Sequence, residues 1–169
     1  MKNILCLYIT CFSFVFSAQF FEPILAATYQ NKKEVENFYS ALSSTDTLKI
    51  NALLHKLALL KSNTNNAFAG ALMMKKSNIV KLPKYKLKLF KDGKSLLESS
   101  IAKDSLNGIF RFLRLVIQEN CPAMMKYHNH INEDADIVKK KYPQFPAEAK
   151  QAVLDYSKNS TSLKSICDN

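Results

Sequence analysis

The chain has 169 residues, 47% of them hydrophobic and 22% charged, with three Gly, five Pro, four Cys and no Trp. That length supports one domain with a sizeable core and excludes a large multidomain enzyme. The charge content argues against wholesale disorder, and the scarcity of Gly and Pro argues against a turn-rich β sandwich or a collagen-like fibre. Lys and Arg number 24 against 14 Asp and Glu, a formal net charge of +10, so the surface is expected to attract anions.

Residues 1–18 read as a secretory signal. One early Lys precedes an apolar run from Ile4 to Phe16, interrupted by Thr10 and Ser13, and the small residues Ser17 and Ala18 follow. A later cleavage after Ala26 or Ala27 also has small residues in place. The run is short for a bilayer span, and Glu22 and Pro23 end it, so no transmembrane anchor is expected in the mature chain, which is exported to the periplasm or the outside. Residues 19–169 then read as one helical domain. Cys6 and Cys11 fall inside the leader, leaving Cys121 and Cys167 in a compartment that permits oxidation. Bridged, they would close a loop worth ~3 to 4 kcal/mol in the chain-entropy model; unbridged, they are two thiols, one at a helix end and one in the tail.

The first mature helix signal is Ser44, Thr45 and Asp46 ahead of Ile50, Leu53, Leu54, Leu57 and Leu60, whose steps of three and four draw one stripe. Asn63 to Asn66 break the run, and a second helix begins around Phe68, Leu72 and Met73 with Ala67, Gly70 and Ala71 as small contact residues. These two look like a helical hairpin. Lys84 to Leu89 alternate as a strand would, but Leu82, Tyr85, Leu89, Gly93, Leu96, Leu97 and Ile101 keep helical spacing over five turns, and Pro83 suits a first turn. The spacing predicts a helix over 82–101.

Asp104 and Ser105 can cap the next helix, where Ile109, Phe112, Leu113, Val116 and Ile117 form a broad apolar face before Pro122. This helix should be central to the core. A further helix runs through Ile131, Ala135 and Val138, and another, after Pro143 and Pro146, carries Ala149, Val153 and Tyr156. The tail beyond Ser160 carries little signal. The fold class expected is all-α, about seven helices packed as antiparallel hairpins.

Three constellations carry chemistry. Lys75, Lys76, Lys81, Lys84, Lys86, Lys88, Lys91 and Lys94 stand against the lone Asp92, a local net charge of +7. They could hold lipid headgroups, acidic glycan or an acidic protein, or simply keep a solvated face soluble. Arg111, Arg114 and Gln118 share one side of the most apolar helix. They could grip a carboxylate, or the two arginines could pair with Glu119, Asp134 or Asp136 and lock helices together. His128, His130 and Asp134 are weak metal candidates, because residues two apart on a helix diverge. A Cys121 nucleophile assisted by His128 or His130 defines a rival small hydrolase or metalloenzyme.

No phosphate loop, nucleophile elbow, CxxC pair or HExxH motif occurs, so no catalytic residue and no cofactor is assigned. Nucleic acid is disfavoured by the near absence of Arg and of any binding module. Asp46-Thr47-Leu48 and Asp104-Ser105-Leu106 read first as helix caps and secondly as acceptors for O-linked sugar.

The stretches AGALMM (69–74), LFKDGKSLLESSIAKDS (89–105), IFRFLRLVIQENCP (109–122) and YHNHINEDADIV (127–138) resemble, in that order, a family of exported all-helical proteins of Bacteroidota. The resemblance implies export and a helical fold, and supplies no activity. A looser likeness is to one degenerate tetratricopeptide hairpin. Gly70 would act as its small contact, with Gly93, Leu97, Ser100, Ile101 and Asp104 on the second helix. Together these readings describe a nonenzymatic helical protein that contacts an envelope protein or an anionic ligand.

Overall fold

The computed structural model describes residues 32–167. The chain divides into two compact units, Met1–Glu36 and Asn37–Asn169. Of the first, residues 32–36 are described and form the opening of helix α1 (residues 32–43). Every later element belongs to the second. The leader with its cleavage positions, Cys6 and Cys11 lie outside the described residues. Among the described residues are seven α-helices, three short 3₁₀ turns and no strand, so the all-α class holds. No helix among them is long and apolar enough to cross a membrane.

Local chemistry sets most helix starts. Helix α2 (Thr47–Leu59) begins where the Asp46 carboxylate accepts from the amides of Leu48 at 2.8 Å and Lys49 at 3.3 Å, the capping its sequence announced. Helix α3 (Asn63–Ile79) starts earlier than expected. Ser62 Oγ accepts from the Asn65 amide at 3.0 Å, so the polar run 63–66 forms the first turn of the helix rather than a break before it. Helix α4 (Pro83–Lys103) runs 21 residues, and the alternation of Lys84 to Leu89 is overruled by the longer helical period.

Asp104 closes α4 instead of opening α5 (Gly108–Glu119). The cap of α5 is Asn107, whose Oδ1 accepts from the amides of Ile109 and Phe110. Helix α6 (Ile131–Lys141) carries Glu133 and Asp134 in its first turn and Lys139, Lys140 and Lys141 in its last, charges placed favourably against the helix dipole. Helix α7 (Ala147–Ser157) follows Pro146.

Helices α3 and α4 make a close antiparallel hairpin. At one end, Asn63 Nδ2 donates to the Ser100 carbonyl and Ser100 Oγ donates to the Asn63 carbonyl, each at 3.2 Å. In the middle Gly70 faces Gly93: a Cβ on either would stand 2.6 Å from the other's carbonyl oxygen. Only glycine lets two backbones approach so far. At the far end Lys76 Nζ donates to Tyr85 Oη at 3.2 Å. Asn63, Gly70 and Ser77 on α3, like Gly93 and Ser100 on α4, are seven residues apart, two turns, so each set lies along one side of its helix. Leu97, Ser100 and Ile101 are buried along this hairpin, while Asp104 is exposed. Helix α3 also packs on α2, but its most extensive partner is α4.

Helix α5 is the centre of the core, as its apolar face predicts. Phe110, Phe112, Leu113, Leu115 and Ile117 are buried. Helix α6 lies along it, and α7 reaches it through Tyr156, whose ring meets Phe112 edge-on at 5.8 Å. Phe38 of α1 stacks on Phe68 of α3 at 4.0 Å between ring centres. The expected stripe of α2 is only partly used: Ile50 is buried, Leu53, Leu54 and Leu57 are half-buried, and Leu60 is exposed.

The tail is better specified than its composition suggests. Ser160 and Leu163 are buried, and residues Lys164–Ile166 form a 3₁₀ turn.

Candidate functional site

The lysine cluster divides in two when it is placed on the fold. Lys75 and Lys76 lie in the last turns of α3, Lys81 sits in the connection, and Lys84, Lys86 and Lys88 occupy the first turns of α4, so these six gather at the tip of the hairpin, with Lys91 a turn further along α4. Lys94 lies elsewhere: its ammonium sits 4.6 Å from the centre of the Tyr127 ring, a cation–π contact that draws it back to the body. Lys84, Lys88 and Lys91, at steps of four and three, share one face. Lys88 is held above the ordinary ammonium range by its 2.5 Å hydrogen bond to Asp92 and by that carboxylate's charge. Lys81, Lys84, Lys86 and Lys91 pair with no carboxylate among the described residues.

All eight residues from Lys81 to Lys88 are exposed. The connection and the opening of α4 therefore face solvent, with Tyr85 still held to α3 by Lys76. Among the lysines stand Leu82 at 70% exposure, Tyr85 at 41% and Leu87 at 44%. Leu82, Pro83, Lys84, Tyr85 and Lys88 line an open hollow of about 430 Å³. Helix α4 begins without a side-chain cap and without an acid in its first turn, so lysines crowd the positive end of its dipole. Each of these features costs stability locally. A sequence tuned only for folding would put an acid and a cap there.

The second constellation is committed internally. Arg114 lays its fork side-on against Asp134, with Nε to Oδ2 and Nη2 to Oδ1 both at 2.7 Å, while Nη1 reaches Glu98 Oε2 at 2.9 Å. Arg111 Nη1 bonds Asp134 Oδ1 at 3.0 Å and Glu133 Oε1 at 2.9 Å, and its Nε donates to the Ser105 carbonyl at 2.8 Å. Asp134 is fully buried and both arginines nearly so. Burial works against the charge on Arg114, but the hydrogen bonds and attraction of Asp134 and then of Glu98 prevail and raise its pKa. Tyr127 donates to the other oxygen of Glu98 at 2.5 Å, and burial followed by that carboxylate pushes the phenol up.

Of the two readings that the sequence leaves open, the helix lock is the one formed and the grip on an external carboxylate is not: the arginine forks are filled by Asp134, Glu98 and Glu133, which tie α4, α5 and α6 together. Of the three partners named from sequence, Asp134 takes part, whereas Glu119 and Asp136 do not. Gln118, buried on the same helix, joins neither arginine, and its Nε2 and Oε1 make no hydrogen bond.

Cys121, His128 and His130 do not converge. His128 Nε2 lies 2.9 Å from the Cys121 carbonyl oxygen and so is engaged by the backbone rather than by the thiol. Burial raises the Cys121 pKa, with Lys94 acting weakly against it, which is the opposite of an activated nucleophile. His130 Nδ1 pairs with Glu133 Oε2 at 2.8 Å instead of with Asp134. Among the described residues no three metal-ligating side chains form a group. Cys121 and Cys167 are both free: Cys121 is buried, while exposed Cys167 places its sulfur 2.8 Å from Ser157 Oγ, so the considered bridge is not formed.

Sequence reading missed one polar centre. Glu119 accepts from Tyr156 Oη at 2.7 Å, from Ser160 Oγ at 2.8 Å, and from the Ser162 hydroxyl and amide at 2.5 and 3.3 Å. Burial opposes its charge, but the hydroxyls of Ser162, Tyr156 and Ser160 outweigh that and hold the carboxyl below its usual range. Its partners lie 37 to 43 residues away, beyond the reach of any local spacing rule.

Comparison with protein-family models, with curated proteins and with solved structures finds no match. The residues themselves carry the functional argument.

Proposed function

We propose that this chain is an exported, noncatalytic helical protein that acts by contact with an anionic partner in the cell envelope, through the tip of the α3–α4 hairpin. The observation that carries the reading is the run of eight exposed residues from Lys81 to Lys88, four of them lysines and none acidic. The other strong cationic constellation, Arg111 with Arg114, is neutralised inside the fold, and among the exposed lysines those at the tip form the densest group. The leader-like residues 1–18 and the family resemblance over roughly residues 65–142 support export. The resemblance to one degenerate tetratricopeptide hairpin, in which Gly70 and Gly93 would be contact residues, supports a scaffold whose work is binding.

The test compares retention of the full chain on dextran sulfate and on anionic vesicles as salt is raised. Lys81→Glu with Lys84→Glu and Lys86→Glu should abolish retention at near-physiological salt. A control that reverses Lys103, Lys139 and Lys140 changes the net charge equally and should retain most of it. Equal loss in both variants would reduce the effect to net charge and overturn the reading.

A further inference from the structure

We infer that the anionic partner is a lipid bilayer, with the first two turns of α4 entering its headgroup layer on Leu82, Tyr85 and Leu87; this rests on the contact reading above. A soluble polyanion could pair the ammonium groups of Lys81, Lys84, Lys86 and Lys88, but it would leave two leucines and a tyrosine in water. A charged bilayer accommodates both kinds of side chain. Apolar groups settle about 5 to 10 Å into the boundary between headgroups and acyl chains, tyrosine prefers that depth, and lysine stems extend back to the phosphates.

The dimensions agree. Residues 83–88 rise about 1.5 Å each, so the exposed opening of α4 is about 9 Å long, close to the depth of that layer. The uncapped first turn of α4 also presents backbone amides to phosphate oxygens, with the helix dipole in the same sense. Charge complementarity selects the anionic lipid: Lys75 to Lys91 contain seven lysines and no acid.

The experiment measures partitioning of the full chain onto phosphatidylcholine vesicles, onto mixed phosphatidylcholine and phosphatidylglycerol vesicles, and onto soluble polyglutamate. Wild type and variants share residues 1–31, whose contribution is then common. Binding is expected to be much stronger on the mixed vesicles than on phosphatidylcholine alone, where only the contribution common to all variants remains. It should fall about fivefold for each tip lysine neutralised to glutamine, more than a hundredfold for three. Leu82→Ser with Leu87→Ser should weaken vesicle binding about tenfold, while the same exchange at Leu59 and Leu60, where α2 ends, should not.

The chain has no Trp, so Leu82→Trp gives a single reporter. Its emission should shift to the blue on mixed vesicles and become protected from iodide. Tight binding to polyglutamate with none to vesicles would make the partner an acidic protein, overturning the bilayer inference while leaving the contact reading intact. Vesicle binding that is indifferent to the Leu82 and Leu87 exchanges, or an unshifted reporter, would also overturn it. Failure of all three probes would remove both readings.

Discussion

Arg114 and Asp134, twenty residues apart in the chain, meet in a side-on pair with both hydrogen bonds at 2.7 Å, and the carboxylate has no exposure to solvent. The pair closes α5 against α6, and Glu98 on the other side of the guanidinium ties in α4. A buried carboxylate is tolerated here because two guanidinium groups answer it.

Removing that answer is expected to be severe. Arg114→Leu leaves Asp134 and Glu98 short of a partner and should lower unfolding stability by about 3 to 5 kcal/mol, read from the urea midpoint at constant slope. Glu133→Ala, which deletes a carboxylate that is half exposed, should cost less than about 1 kcal/mol. Arg114→Lys should resemble the leucine variant more than wild type, since an ammonium cannot span both oxygens of Asp134.

The crossing of Gly70 and Gly93 makes a second prediction. Alanine at either position forces a methyl group to within 2.6 Å of a backbone oxygen, so each single variant should lose about 1 to 3 kcal/mol. The double variant should lose less than the sum, because the helices move apart once for both methyl groups. Thermal melts of the four proteins in the cycle check this, and strict additivity would mean that the two sites do not share one contact.

Glu119 should make the tail sensitive to acid. Its folded carboxyl titrates below the ordinary value near 4.5, so its contribution is complete above that value and fades as pH falls through the lower folded one. The protection of the Ser162 and Leu163 amides, their exchange measured against the intrinsic rate at each pH, is expected to fall in acid. In Glu119→Gln the same amides should exchange faster already at neutral pH, and the acid dependence should flatten.

The two cysteines should differ in reactivity. Cys167 is exposed and should react promptly with Ellman's reagent, whereas buried Cys121, its thiol pKa raised, should react only after unfolding. Reductant should leave the melting temperature unchanged. A fall of many degrees on reduction would indicate that the bridge forms in solution.

Much of the fold was legible because local rules govern it. Helical spacing from Leu82 to Ile101 outlasted the short strand-like alternation, and Asp46 capped α2 as its position suggested. The misses have physical causes. Asn63 to Asn66 look like a break by propensity, but the Ser62 hydroxyl and the Ser100 contacts carry them into α3. Asp104 was as good a cap by type as Asn107, and only the chain's path decides between them. The stripe of α2 exceeds what its neighbours cover, and nothing in its own spacing says so.

The candidate site was legible in part for the same reason. Counting lysines located the cationic segment, but not that Lys94 would turn to Tyr127 or that residues 81–88 would all face solvent. Arg111 and Arg114 were recognisable as a pair and Asp134 as one acid for them. Glu98, Tyr127 and Glu133 entered only through tertiary packing. Glu119 and its serines were invisible, since a carboxylate and hydroxyls so far apart in sequence leave no pattern.

The contact of Gly70 with Gly93 has a mechanical consequence. Where the two glycines cross, no Cβ stands between the backbones and there is little to compress, so the hairpin is stiffest at its middle. A force applied at Leu82 would be delivered to Asn63 and Ser100 at its root, where α4 turns toward α5, instead of being absorbed by bending on the way.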